Sequence, residues 1–316
     1  MKIVFMGTPD FSVPVLQMLL KEGYDIIGVV TQPDRPKGRK RELTPPPVKV
    51  EALKHGLLVL QPERIRNEEE WKKIEIMAPD LIITAAFGQI LPQGLLDVPR
   101  LGCVNVHASL LPKYRGGAPI HQAVIDGEKE TGISIMYMVE ALDAGDVLSQ
   151  RAIPINEEDH TGTLFTKLST LGAELLKDTL PSIQAETIQA VPQDEEKVTF
   201  APNITKDQEV VDWGQSARDI YNHVRGLHPW PVAYTTWDGN RLKIWWTDLV
   251  DQRFDEKPGT VVQVDESGVM VVTGDQKAVT ITDIQPSGKK RMDAKTFYHG
   301  QGSKLLIGTV LGGSHE

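Results

Sequence analysis

Cysteine is almost missing from this chain. Cys103 is the only one in 316 residues, so no disulfide can form within it. That usage fits a reducing cytoplasm, where the protein is expected to reside. Cys103 itself lies on an apolar stretch and reads as a small buried hydrophobe. Long apolar runs are missing too. None approaches the ~18 residues of a membrane span. The opening MKIVFMGTPDF lacks a basic segment followed by a long apolar one, so no secretory leader is expected. Positive charge is scarce: the formal net charge is -9, which argues against general coating of nucleic acid. Two local basic patches stand out against that background, 35-RPKGRKR-41 and 289-KKR-291.

Several cofactor and nucleophile signatures are absent as well. The first apolar segment, 2-KIVFMG-7, runs into Thr8-Pro9-Asp10, not into the G-x-G-x-x-G turn of dinucleotide sites. No G-x-x-x-x-G-K-[ST] phosphate loop occurs. Ser109, in 109-SLLP-112, has no G-x-S-x-G elbow around it. His107, His121 and His160 share no ligand spacing, so no metal is expected. There is no internal repeat and no long low-complexity tract.

What is present alternates. Residues 2–7, 25–31, 57–62, 80–88, 102–107 and 132–138 are apolar and strand-like. Between them, 11–23, 47–56 and 67–79 carry helical spacing, and 161–184 reads as a long amphipathic helix. Continuous apolar strands separated by helices predict an α/β domain with a mostly parallel sheet covered on both faces. Residues 190–207 are polar and hold prolines, and read as a linker between a domain over 1–189 and another over 208–316. In the second, a helix over 216–227 precedes short strand runs at 231–237, 241–250, 258–275 and 277–286. Their Asp-Gly and Ser-Gly turns suit hairpins. This spacing predicts a small antiparallel barrel, with an OB-like shape as one option.

The informative stretch is 104-VNVHASLLPKYRGGAP-119. Strand side chains alternate faces, so Cys103, Asn105 and His107 share one face and Val104 and Val106 take the other. Ligands on open α/β folds bind beyond the carboxyl ends of the parallel strands, where this segment ends. An imidazole there can move a proton near neutral pH. A carboxamide beside it can donate to an oxygen that turns negative. Together they suit acyl transfer. A carboxylate is still wanted, to accept a proton or to set charge beside the imidazole. Asp143 in 142-LDAGDVL-148 is the candidate, on a loop expected at the carboxyl edge after strand 132–138. With no nucleophile in evidence, attack would be direct, by the acceptor's own amine.

Asn105-x-His107, the turn Ser109-Leu110-Leu111-Pro112 and 142-LDAGD-146 together resemble the folate-dependent formyltransferase family. The segments 6-MGTPDFSVPVL-16, 31-TQPDRPKGRKRELTPPPVK-49, 85-AAFGQILP-92, 226-GLHPWPVAY-234 and 285-QPSGKKRM-292 extend the resemblance across nearly the whole chain. It implies a Rossmann-like first domain without the dinucleotide fingerprint and an OB-like second domain that helps hold RNA. It implies 10-formyltetrahydrofolate as donor, no metal, and as acceptor the α-amine of methionine esterified to initiator tRNA, for translation initiation. No obligate protein partner is expected. Asn105, His107 and Asp143 take the catalytic positions. Phe87, Gly88, Gln89, Ile90 and Leu91 match the segment lining the pterin pocket, and Ser109, Leu110, Leu111 and Pro112 the folate-contacting turn. Arg35, Lys37, Arg39, Lys40 and Arg41 become candidate RNA contacts, as do Lys289, Lys290 and Arg291. A formyltransferase with a small amine acceptor, or a hydrolase of the same folate, would use the same three catalytic residues and stays open on the sequence.

Overall fold

The most apolar segments of the sequence form the centre of a sheet. Ile3, Val4, Phe5, Met6, Leu81, Ile82 and Ile83 are all fully buried, on strands that pair in parallel. The chain is described here by a computed structural model covering residues 1–38 and 40–312; Arg39 and residues 313–316 lie outside the described residues. It divides into two compact units. The first holds Met1–Pro119, Glu130–Pro154 and Phe165–Pro202; the second holds Ile120–Lys129, Ile155–Leu164 and the residues from Asn203 onward.

The strands of the first unit are β1 (Lys2–Gly7), β2 (Asp25–Val30), β3 (Arg35–Lys37), β4 (Glu42–Thr44), β5 (Val59–Leu60), β6 (Leu81–Ala85), β7 (Cys103–His107), β8 (Glu130–Tyr137) and β9 (Val147–Pro154). Seven of them form one sheet in the order β5-β2-β1-β6-β7-β8-β9. The β5–β2, β2–β1, β1–β6 and β6–β7 pairs are parallel, whereas β7–β8 and β8–β9 are antiparallel. The sheet is therefore mixed.

The antiparallel pairing corrects one sequence expectation. Tyr137, near the end of β8, sits beside Val104 at the start of β7. The loop carrying Asp143 thus leaves the sheet at the edge opposite the carboxyl end of β7, because β8 runs the other way. It reaches the face of β7 only by folding back. Gly145 permits the fold: a Cβ there would stand 1.9 Å from the Tyr137 carbonyl oxygen.

The helices of the first unit are α1 (Val13–Lys21), α2 (Pro47–Lys54), α3 (Glu68–Ile76), α4 (Gln93–Leu96) and, from Phe165 on, α6 (Thr161–Gln184), whereas α5 (Pro119–Ile125) falls in the second unit from Ile120 on. Glu68, Glu69 and Glu70 open α3 and Lys73 closes it, as the helix dipole favours. On α6, Leu164, Leu168, Leu171 and Leu175 are buried, a stripe of helical period. Gly172 lets α6 come close to β7, since a Cβ there would meet Val106 at 2.8 Å. The Val106 face of β7 is thereby covered, and Asn105 and His107 point the other way.

In the second unit, α7 (Ala217–Gly226) starts at Ser216, whose side chain accepts from the Asp219 N–H, an N-cap bond. The strands are β10 (Tyr234–Trp237), β11 (Asn240–Val250), β12 (Val261–Asp265), β13 (Gly268–Val272), β14 (Ala278–Pro286) and β15 (Met292–Asp293), followed by α8 (Ala294–Gly300). They make an antiparallel sheet in the order β10-β11-β14-β13-β12, with β15 on β14. Asp238 and Gly239 both have left-handed backbones, φ 47° and 68°, the conformation a two-residue hairpin turn needs. No helix among the described residues is long and apolar enough to cross a membrane.

Candidate active site

β6 and β7 end side by side, and Thr84 on one faces Asn105 on the other. The Thr84 hydroxyl is buried and donates to Asn105 Oδ1 at 2.8 Å. That bond occupies the amide oxygen, so the Asn105 nitrogen is the end left to address a ligand.

His107 is buried, 6 % exposed. Its Nε2 lies 3.0 Å from the Tyr114 carbonyl oxygen. A carbonyl can only accept, so Nε2 carries the proton and donates. The neutral ring therefore has its lone pair on Nδ1, and Nδ1 faces Asp143 Oδ2 at 3.8 Å. Asp143 Oδ2 also accepts from the Gly116 N–H at 2.8 Å. Asp143 adopts a left-handed backbone, φ 49°, which a non-glycine residue holds only when its surroundings demand it. The imidazole and carboxylate are both fixed by main-chain atoms of one short loop, residues 114–116. Residues 114–116 fall inside the informative stretch 104–119, but the sequence assigns them no role in the site, because they act through backbone atoms and leave no side-chain signature.

The turn 109–112 is locked from within. Ser109 is buried and its hydroxyl donates to the Lys113 carbonyl at 2.7 Å. Ser134 Oγ donates to the Ser109 carbonyl at 2.6 Å and accepts from the Leu111 N–H at 3.0 Å. Gln150 Nε2 donates to the Leu111 carbonyl at 2.8 Å. Leu111 is buried, and Leu110 and Pro112 are half-buried. The segment after β6 behaves similarly. Phe87 and Leu91 are core residues. The Gln89 amide donates to the Pro62 carbonyl at 3.1 Å, and its oxygen accepts from the Ile65 N–H at 2.7 Å. Gly88 and Ile90 are exposed. A ligand at this edge would meet backbone, Ile90 and Leu110 rather than the hydroxyl of Ser109 or the amide of Gln89.

Burial, with Asp97 adding to it, pushes the Cys103 thiol up to about 12, so it offers no thiolate at neutral pH. Among the described residues, no group of three or more His, Cys, Asp or Glu is arranged to hold a metal ion.

The basic segment after β2 forms a hairpin in the structure. β3 and β4 pair antiparallel, Arg35 opposite Thr44 and Lys37 opposite Glu42. Its base is anchored: Asp34 accepts from Lys49 at 2.8 Å and from Gln61 at 2.7 Å, and Arg35 pairs with Glu63 at 2.6 Å. Lys37, Lys40 and Arg41 are exposed, while the candidate Arg39 falls outside the described residues. In the second unit Lys289 and Lys290 are exposed on the turn after β14. Arg291 is committed elsewhere: it donates to Asp283 at 2.8 Å and lies 4.5 Å over the Trp245 ring.

Comparison with known proteins places these features. Residues 1–180 match the formyl transferase family model and residues 203–302 the model of the formyl transferase C-terminal domain. A methionyl-tRNA formyltransferase of Halalkalibacterium halodurans is 62% identical over 313 residues, covering 99% of each chain. One of Bacillus subtilis is 56% identical over 315 residues, covering 100% of this chain and 99% of its own. Among solved structures, the N-formyltransferase from Helicobacter canadensis, in complex with folinic acid and dTDP-3-aminofucose, superposes with a TM-score of 0.68 at 17% identity, over 90% of this chain and 99% of its own. That likeness extends the agreement to the fold.

Proposed function

Since the chain belongs to the formyl transferase family, we propose that it transfers the formyl group of 10-formyltetrahydrofolate to the α-amine of methionine on initiator tRNA. The observation that carries this reading is the convergence of His107 and Asp143 on a full-length match to methionyl-tRNA formyltransferases. The folate supplies a formyl group already activated on its nitrogen. The residues after β6 and β7 fit such a ligand: exposed Gly88 backbone, the half-exposed Ile90 side chain at 47 % and the half-buried Leu110 and Pro112.

The chain's own groups then divide the work. Asn105 presents its amide N–H to the formyl oxygen as negative charge grows there; one such donor is commonly worth ~10²–10³ in rate. His107, with Nε2 committed to Tyr114, takes the amine's proton on Nδ1. Asp143 stabilises the imidazolium so formed, which returns the proton to the folate nitrogen as the bond from that nitrogen to the formyl carbon breaks and tetrahydrofolate leaves. Proton transfer of this kind contributes ~10²–10⁴. We place the exposed cations of the β3–β4 hairpin on the tRNA. The second unit, with Lys289 and Lys290, serves as an OB-like tRNA-holding domain; Arg291 supports Trp245 there.

The reading is tested by offering the protein 10-formyltetrahydrofolate with charged initiator tRNA, uncharged tRNA, free methionine or water. Formylation of the charged tRNA alone is expected. Equal transfer to free methionine, or release of formate without an acceptor, would replace the tRNA assignment with a small-acceptor transferase or a hydrolase.

A further inference from the structure

Resting on that reading, we infer that Gln193 and Arg115, through the segment 191–201, are positioning residues that hold Asp143 against His107. Gln193 spends both protons of its amide on the main chain of the Asp143 loop. It donates to the Asp143 carbonyl at 2.8 Å and to the Gly145 carbonyl at 2.7 Å. Its oxygen accepts from Arg115 Nε at 3.0 Å. Arg115 is 5 % exposed and its far side is fixed by Glu195, Nη2 to Oε1 at 2.7 Å. A planar guanidinium gripped at Nη1 and Nη2 by the Glu195 carboxylate fixes the direction of its Nε–H, and that N–H orients Gln193.

The same segment fixes the loop that holds His107. Thr199 accepts the Tyr114 N–H on its hydroxyl at 2.9 Å and the Arg115 N–H on its carbonyl at 2.9 Å. Ala201 donates to the Arg115 carbonyl at 2.8 Å. A Cβ on Gly116 would lie 2.6 Å from the Ala201 carbonyl oxygen, so the close seating needs glycine there. The other end of the segment is tied by the Val191–Val147 pair of bonds at 2.8 and 2.9 Å. One strap thus grips Tyr114, whose carbonyl orients His107, and Gly116, whose N–H holds Asp143. It grips the Asp143 backbone as well. Asp143 sits in a left-handed conformation that relaxes readily once its partners are removed.

The experiment compares wild type, Gln193→Ala and Gln193→Glu. It measures kcat and both KM values for formyl transfer, the thermal midpoint, and the Gly116 amide resonance in a 15N spectrum without substrate. Displacements of about an ångström cost ~10²-fold in favourable cases. Gln193→Ala is therefore expected to lower kcat roughly 10- to 100-fold, with both KM values and the thermal midpoint nearly unchanged and the Gly116 resonance shifted. Gln193→Glu, which cannot donate to two carbonyls, should be at least as impaired. The inference is overturned if Gln193→Ala keeps wild-type kcat, or if the Gly116 resonance stays in place. Wild type that transfers no formyl group sinks the functional reading instead, and the Gly116 resonance still decides the positioning role by itself.

Discussion

Thr84 gives its hydroxyl proton to Oδ1 of Asn105 at 2.8 Å, and the two residues face one another across paired strands. The amide is thereby held with its nitrogen outward. Asn105→Ala should lower kcat ~10²–10³-fold by removing the donor to the developing oxyanion. Thr84→Val keeps the side chain's shape and removes the bond, leaving the amide free to turn. A loss of roughly 10-fold in kcat is expected, with Thr84→Ser near wild type. Steady-state kinetics on the three variants provides the check; equal activity of Thr84→Val and wild type would show that the bond does not orient the amide.

His107 and Asp143 act as one unit if Nδ1 receives the proton beside the carboxylate. Asp143→Asn and His107→Ala should each reduce kcat by ~10²–10⁴. The double variant should then be little worse than the poorer single variant, because removing either partner already disables the pair. Independent, multiplying losses in the cycle would separate their roles.

The hairpin makes a distinction among its cations. Arg35, Lys37, Lys40 and Arg41 are all exposed, and Arg35 has its charge paired with Glu63. Changing Lys37, Lys40 and Arg41 to Ala should weaken tRNA binding. It should also flatten the plot of log affinity against log salt by ~0.7–0.9 for each phosphate no longer neutralised. Arg35→Ala should weaken binding with little change of slope, since it loosens the anchor of the hairpin. Filter binding across a salt series measures both, and an unchanged slope for the triple variant would remove the hairpin from the RNA interface.

Acid should strike the two units in different ranges. In the second unit, burial lowers His121, His160, His223 and His228 below the usual histidine range, and the neighbouring His160 adds to the effect at His228. A depressed folded value means the unfolded chain binds the proton first. Their contribution is therefore complete above the unfolded pKa of ~6.5 and is lost as the pH falls below it. In the first unit, the Gln17 hydrogen bond, then Lys54 and His55, hold Glu51 down at about 2 from 4.5. Its contribution is complete above 4.5 and disappears as the pH falls toward 2. Tryptophan fluorescence reads chiefly the second unit, which holds Trp213, Trp230, Trp237, Trp245 and Trp246, while Trp71 lies in the first. Fluorescence should change at higher pH than the loss of far-ultraviolet circular dichroism from the first unit, and Glu51→Gln should blunt only the lower transition. Coincident transitions would refute the assignment.

Much of the site was legible because its signals are local. The period-two alternation from Cys103 to His107 places Asn105 and His107 on one face whatever the rest of the fold. The apolar runs at 2–7 and 80–88 marked the central strands, since continuous burial on both faces leaves no polar positions. The helix over 161–184 was visible as a long stripe of leucines. The hairpin at 35–44 was not, because prolines and cations mask strand pairing. Strand direction was not either: apolar content in β8 is the same whichever way it runs, and its antiparallel course is set by pairing with β7.

The sequence alone determined which chemical groups are available, which face of β7 carries them, and which family the chain resembles. Tertiary structure decided how they meet. The loop after β8 folds back to bring Asp143 to His107, Nε2 is assigned by the Tyr114 carbonyl, and Gln193 arrives from 50 residues away in sequence. These relationships run through main-chain carbonyls and N–H groups, which every residue shares. Composition cannot encode them, and only the folded path of the chain brings them within hydrogen-bonding distance.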